Sequence, residues 1–231
     1  MSFVESFVAD LAAVRLDSVF NPYADQCPEC DLPNASNIRR ANLVALLTAA
    51  DRLELTTAWL GRDLGYRGGR RTGLALTDEP HLSVLPTVYT NTRVRRATVG
   101  SEVSERTATE VWRMIAKLPS PPFLWNVFPF HPYEERDPFT NRAHSPRERD
   151  TCVDILASLL AWLKPQTIVA IGEDAHRTLK RLGHSCVYIR HPSYGGKADF
   201  VRGVSELYNL PADPAPRAEF RARSTVHGAY Q

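Results

Sequence analysis

Four short apolar runs, separated by stretches of helical period, confine this sequence to a narrow set of folds. Leu55–Leu60, Phe123–Phe128, Thr167–Ile171 and Cys186–Ile189 have the length and composition of buried strands. Between them the apolar residues recur at helical spacing. Leu43, Leu46 and Leu47 mark one side of a helix over Asn37–Ala50, and Ser101–Lys117 is a second, ending before Pro119. Ser145-Pro146-Arg147-Glu148 reads as a capping box with proline in the first turn, and Cys152, Ile155, Leu156, Leu159, Leu160 and Leu163 continue that helix. Gly172 opens a further helix that Gly183 ends, and Lys197–Leu210 is the last. Strands alternating with helices predict a three-layer α/β/α architecture around a central four-stranded, mainly parallel twisted sheet with right-handed crossovers.

At 231 residues the chain is expected to form a single domain, 1–231, with an N-terminal helical extension over 1–36 and a Pro-rich C-terminal tail over 211–231. Phe3, Phe7, Val8, Leu11 and Val14 give the extension an amphipathic helix, and residues 17–36, rich in Pro, Asn and Asp, read as a loop. The tail has no apolar period and is expected to wrap the surface or to be disordered. A net charge of +2 is too small to announce a nucleic-acid binder. Charge placement says more. Arg62, Arg67, Arg70 and Arg71 crowd one Gly-rich stretch, and Arg93, Arg95 and Arg96 another; such clusters neutralise phosphates or form a solvated loop face. No apolar run approaches the ~18 residues of a membrane span, and the N-terminus does not resemble a signal peptide. Cys27-Pro28-Glu29-Cys30 is half of a metal motif without a second close pair. With Cys152 and Cys186 scattered, the cysteines favour reduced thiols in a cytoplasmic protein, expected to be a monomer.

Polar groups cluster where the runs end. Asp63 follows the first, Asn126 lies near the end of the second, and His191-Pro192-Ser193 follows the fourth, leading into Tyr194-Gly195-Gly196-Lys197. In a parallel sheet these ends share one rim, where ligands bind. An amide between Trp125 and Val127 is costly unless it bonds the fold or a ligand. Asp63 as a turn former and His191 as a satisfied core histidine are the structural alternatives.

The ordered set resembles the uracil-DNA glycosylase superfamily over roughly residues 55–205. Gly61-Arg62-Asp63-Leu64-Gly65-Tyr66 with Gly73-Leu74-Ala75-Leu76-Thr77 is similar to the family-1 loop Gly-Gln-Asp-Pro-Tyr and the Gly-Leu-Ala-Phe-Ser after it. It also resembles the family-4 loop Gly-Glu-Ala-Pro-Gly with its later Thr-Gly, here Thr72-Gly73. Leu124-Trp125-Asn126 is similar to the strand whose Asn reads the uracil edge, and His191-Pro192-Ser193 is identical to the family motif. The resemblance implies base-excision repair: a uracil flipped from DNA, its N-glycosidic bond hydrolysed, and free uracil released. Asp63 would be the carboxylate that orients water, and His191 the donor to the departing uracil anion. Asn126 would bond uracil N3 and O4, with Gly61, Leu64, Tyr66 and Leu76 lining the pocket. Arg62, Arg67, Arg70, Arg71, Ser193, Tyr194, Gly195, Gly196 and Lys197 would hold DNA. No cofactor, metal or membrane is implied.

The chain departs from the pattern in four places. Gly65 stands where family 1 has the Tyr that excludes the thymine methyl, with Tyr66 one position on. Leu76 stands thirteen residues after Asp63, where a Phe usually stacks on the base; Phe128 and Tyr66 are the aromatic alternatives. The intercalating Leu after His-Pro-Ser is absent, with Tyr194 near its place. Family 4 carries a four-cysteine iron–sulfur cluster. Cys27, Cys30 and Cys152 fall near three of its positions, but the Phe128–Phe130 region occupies the fourth. Other readings are a glycosylase for another deaminated or mismatched base, a non-catalytic uracil-DNA-binding module, and a small-molecule nucleotide binder.

Overall fold

The computed structural model of the protein describes residues 2–211, so the expected tail lies almost wholly outside the described residues. The elements begin with helix α1 (Phe3–Ala13), strand β1 (Val19–Phe20), helix α2 (Ala35–Arg52), strand β2 (Thr57–Gly61) and helices α3 (Gly69–Thr72), α4 (Leu85–Val88) and α5 (Arg106–Ile115). Strands β3 (Phe123–Asn126) and β4 (His131–Pro132) and helices α6 (Pro146–Thr151) and α7 (Val153–Leu163) follow. The chain continues through strand β5 (Thr167–Ile171), helix α8 (Glu173–Arg181), strand β6 (Val187–Ile189) and helix α9 (Lys197–Leu207).

The four expected strands form one sheet, ordered β3-β2-β5-β6, with every neighbour parallel. Helices flank it, as the alternating pattern predicts. Trp59, Leu60, Phe123, Val169 and Ala170 are fully buried, as expected of strands covered on both faces. The register aligns the C-terminal ends: Gly61 sits opposite Asn126, and Ile171 opposite Ile189. Pairing runs on past β3, because Val127 and Phe128 donate their N–H groups to the carbonyls of Gly61 and Arg62 at 2.9 Å each. Pro129 has no N–H to give, and the two segments meet once more where the Leu64 N–H donates to Phe130 O.

Most boundaries shift by one to three residues from the sequence pattern, and three differences are larger. α5 begins at Arg106 rather than near Ser101, because the N–H groups of Val103 and Glu105 are taken by the Glu79 and Asp78 carboxylates at 2.8 and 2.7 Å. The helix opened by Ser145 carries its capping box but breaks at Cys152, giving α6 and α7. The loop expected over 17–36 contains β1, which pairs antiparallel with β4.

The N-terminal helix is built into the main core. Ser2 and Glu5 close a capping box on α1, and Phe7, Val8 and Leu11 are buried in the same apolar cluster as the sheet. Phe3 stacks on Trp162 of α7 at 4.8 Å, and Phe7 meets Trp125 of β3 at 5.7 Å. Each such burial contributes about 1.5–3 kcal/mol.

Candidate active site at the carboxyl rim of the sheet

Asn126 ends β3 with its side chain buried, and neither its amide nitrogen nor its oxygen has a hydrogen-bond partner among the described residues. Gly61 faces it across the register. A Cβ at Gly61 would fall 2.6 Å from Asn126 Oδ1 and 3.1 Å from Leu76 Cδ2. The Asn126 and Leu76 side chains therefore close against the Gly61 backbone, in room that exists only because position 61 lacks a side chain. Leu76 adopts a left-handed backbone with φ 53°, and its carbonyl accepts from Trp112 Nε1 at 3.2 Å. A branched aliphatic residue in that region is strained, and such strain gathers at functional sites.

Two residues beyond β2, Asp63 points toward a polar corner. Its Oδ2 accepts from Arg62 Nε at 2.9 Å and from the His144 N–H at 3.3 Å, with His144 Nδ1 at 3.4 Å. Arg62 also donates to Asp174 at 2.9 Å. Burial works against the Arg62 charge, but Asp63 and Asp174 outweigh it and raise its pKa, so the guanidinium stays protonated. The loop that carries Asp63 is pinned in turn: the Leu64 N–H donates to Phe130 O at 3.0 Å, and the His144 ring lies against Phe128 at 5.0 Å.

His191 follows β6 by two residues. Its Nδ1 receives the Ser193 N–H at 3.2 Å and lies 2.7 Å from Ser193 Oγ. A backbone N–H can only donate, so Nδ1 is the acceptor and the ring proton of the neutral imidazole sits on Nε2. Burial, then Arg62, pushes the His191 pKa down to about 4, so the ring is neutral near pH 7. Gly172, at φ 91° after β5, lets the two strand ends approach: a Cβ there would meet His191 Cβ at 3.1 Å. Beyond Ser193 the chain turns through left-handed Tyr194 (φ 50°) and Gly195 (φ 76°). Tyr194 is 97% exposed beside this rim.

The structure brings together Asp63, Asn126, His191, Gly61 and Leu76, with Leu64 buried beneath the loop. It separates the arginines. Arg67 is exposed, donates to Ser104 O at 3.1 Å and lies over the Tyr66 ring. Arg70 and Arg71, by contrast, are interior, 3% and 8% exposed. Arg70 is sandwiched between the Phe20 and Phe139 rings at 4.4 and 4.8 Å, and Arg71 pairs with buried Glu79 at 3.1 Å. The expectation that these two meet DNA gives way to a structural role, because the Gly-rich stretch folds inward as α3. Lys197 pairs with Glu110, and Gly196 packs on the His191 carbonyl. Tyr66 is half-buried, edge-on to Phe139, with its N–H held by Asn141 Oδ1. Phe128 is wholly buried against Phe130.

Two residues at the site went unassigned in the sequence. His144 carried no signal beyond lying just before the Ser145 cap. Glu105 lies against the loop after Asp63, its carboxyl filling the space that a side chain at Gly65 or Gly68 would take. Burial, then the Asp78 charge, raises its pKa to about 7, against the pull of Arg67.

An iron–sulfur cluster does not fit these residues. It needs four thiolates, the fourth position holds fully buried phenylalanines, and no group of three His, Cys, Asp or Glu among the described residues could hold a metal.

Neither a protein-family model nor any curated protein matches the sequence. Among solved structures, the protein is similar to the crystal structure of wild-type SMUG2 from Pedobacter heparinus. The two share 13% identity with a TM-score of 0.59, over 90% of this chain and 96% of that one. The likeness is one of fold: this chain, with its parallel sheet flanked by helices, has the fold of that structure.

Proposed function

We propose that the protein is a DNA glycosylase that hydrolyses the N-glycosidic bond of uracil in DNA. The observation that carries this reading is the partnerless Asn126 amide, buried at the rim that also holds Asp63 and His191. A flipped uracil presents N3–H and O4 on one edge, and one amide satisfies both: Oδ1 accepts from N3–H while Nδ2 donates to O4. Cytosine presents the reverse pattern, which the same amide meets only when turned over by 180°. Leu76 supplies an aliphatic surface for the base face.

As the glycosidic bond lengthens, its electron pair moves onto the base and positive charge develops on the sugar. His191 Nε2–H is the donor for the charge growing on uracil O2, and a neutral imidazole does this without first giving up a proton. Asp63 stabilises the sugar cation and orients the water that attacks C1′. Arg62 and the His144 N–H fix the carboxylate. Tyr194, fully exposed on its left-handed turn, is suited to fill the gap left by the flipped nucleotide.

A second reading, a glycosylase for another modified base, draws on Glu105. Its carboxyl, not a tyrosine, fills the space beside Gly65, so a polar group lies against the loop that carries Asp63. Competing uracil with 5-substituted uracils and a thymine mismatch separates the two readings.

The test is abasic-site formation on uracil-containing oligonucleotides, single- and double-stranded. Wild-type protein releases uracil, and Asp63→Asn and His191→Ala each slow release by about 10²–10³-fold, the cost of one lost transition-state contact. Folded wild-type protein that leaves no abasic sites would sink the proposal.

A further inference from the structure

We infer that a phosphate track for the damaged strand runs along the groove between α6 and α8, built on Arg62, Arg149, Arg177 and Arg181; this rests on the glycosylase reading. The groove has a volume of about 220 Å³, and these four arginines line it against a single lining carboxylate, Asp174. Its floor is one face of α8, where Asp174, Arg177, Thr178 and Arg181 recur at helical spacing. That stripe is about 10 Å long at ~1.5 Å per residue, enough for consecutive phosphates.

The location selects the occupant. One end of the groove is formed by Arg62 and His144, the two residues that hold Asp63. A sugar whose C1′ lies at Asp63 carries a phosphate on each side, and the chain leaving it must cross the adjoining surface. The planar guanidinium fork pairs with phosphate through two hydrogen bonds, which favours a phosphodiester over a softer or uncharged ligand. Arg62 stays on Asp63 and Asp174 and adds its charge at the groove's end, while the other three arginines are less committed. Arg181 has no charged partner among the described residues. Arg177 holds Asp174 at 2.7 Å with both side chains about half exposed or more, so the pair is weak and exchangeable. Arg149 pairs only with its neighbour Asp150. The true basic surface beside the site thus comes from α6 and α8, not from the arginine-rich stretch that α3 folds inward.

The experiment compares wild-type protein with the double variant Arg177→Gln/Arg181→Gln and with Lys164→Gln, an exposed charge before β5 at the opposite rim. Binding to a single-stranded oligonucleotide with a stable abasic-site analogue is read by fluorescence anisotropy from 50 to 200 mM salt. The double variant should bind about tenfold more weakly at low salt, with the slope of log K against log salt reduced by about 0.7 per arginine. Its melting temperature should match wild type, as should binding by Lys164→Gln. An unchanged slope in the double variant overturns the track, as does an equal loss in Lys164→Gln. If wild type excises uracil and the slope does not move, only the track fails. If wild type binds DNA, loses the slope in the variant and never excises uracil, only the glycosylase reading fails. Wild-type protein that binds no DNA overturns both.

Discussion

Burying an amide without a partner costs about 1–3 kcal/mol for each unmet group, and Asn126 leaves both its nitrogen and its oxygen unmet. Arg70 is likewise buried with unmet nitrogens, but aromatic rings on both faces of its guanidinium compensate, which suits it to hold the loop in place. Trp125 alternates to the other side of β3 and packs among Phe7 and Phe123. Asn126 has no such offset; its neighbours are the bare Gly61 and the strained Leu76. Its cost is recovered only when a ligand supplies a donor and an acceptor. Asn126→Ala should therefore leave the melting temperature unchanged or raise it, while uracil release falls at least about a hundredfold. Thermal melting and the abasic-site assay on one preparation check this, and a variant that melts well below wild type would make Asn126 a structural residue. Asn126 was legible in the sequence because a lone amide in an apolar strand stands out. His144 was not, since it lies 81 positions from Asp63 and reaches it only through the folded loop before α6.

The connection from β2 to α3 shows how one element depends on a distant carboxyl. Gly65 and Gly68 leave room that the Glu105 side chain fills, and Asp78 and Asp63 add their charge to its surroundings. Glu105 consequently holds its proton up to about pH 7 in the folded chain, whereas in the unfolded chain it releases it near 4.5. The sign follows. Below about pH 4.5 both states are protonated and the residue has no effect on the pH dependence. Between 4.5 and 7 the unfolded state alone loses the proton, so folding stability falls as pH rises, and the loss is complete above 7. Glu105→Gln removes that penalty. It should raise the melting temperature at pH 8 by several degrees, at ~2–4 °C per kcal/mol, and change it little at pH 4.5. Melts at the two pH values decide, and an equal shift at both would assign the effect to packing instead. The strands were readable as elements because apolar runs bounded by Gly and Pro are local signals. The start of α5 was not, because Asp78 and Glu79 take its first donors from outside the helix. Nor was the fate of Arg70 and Arg71, whose partners Phe20, Phe139 and Glu79 come from three separate segments.

For the whole molecule, the parallel sheet does what no local pattern can: it carries Asp63, Asn126 and His191 from far apart in the chain to one rim. Alternation of strand and helix predicts that convergence, and the ordered motifs suggest the chemistry proposed for it. Sequence pattern undervalues the N-terminal segment, because an amphipathic helix ahead of the first strand looks detachable. In the fold, α1 covers the same core that positions the site. Phe7 is 3% exposed and touches Trp125, whose neighbour in β3 is Asn126. If α1 and the sheet are one cooperative unit, a cavity under α1 must loosen everything together. Phe7→Ala removes a buried ring at a cost of about 3–5 kcal/mol. That lowers the melting temperature by roughly 6–20 °C for a chain of this size. Far-ultraviolet circular dichroism and tryptophan fluorescence should still report one coincident transition, since a single core unfolds all or none. Should the variant instead show an early fluorescence change with the main circular-dichroism transition unmoved, α1 would be an independent extension and its contact with Trp125 incidental to the site.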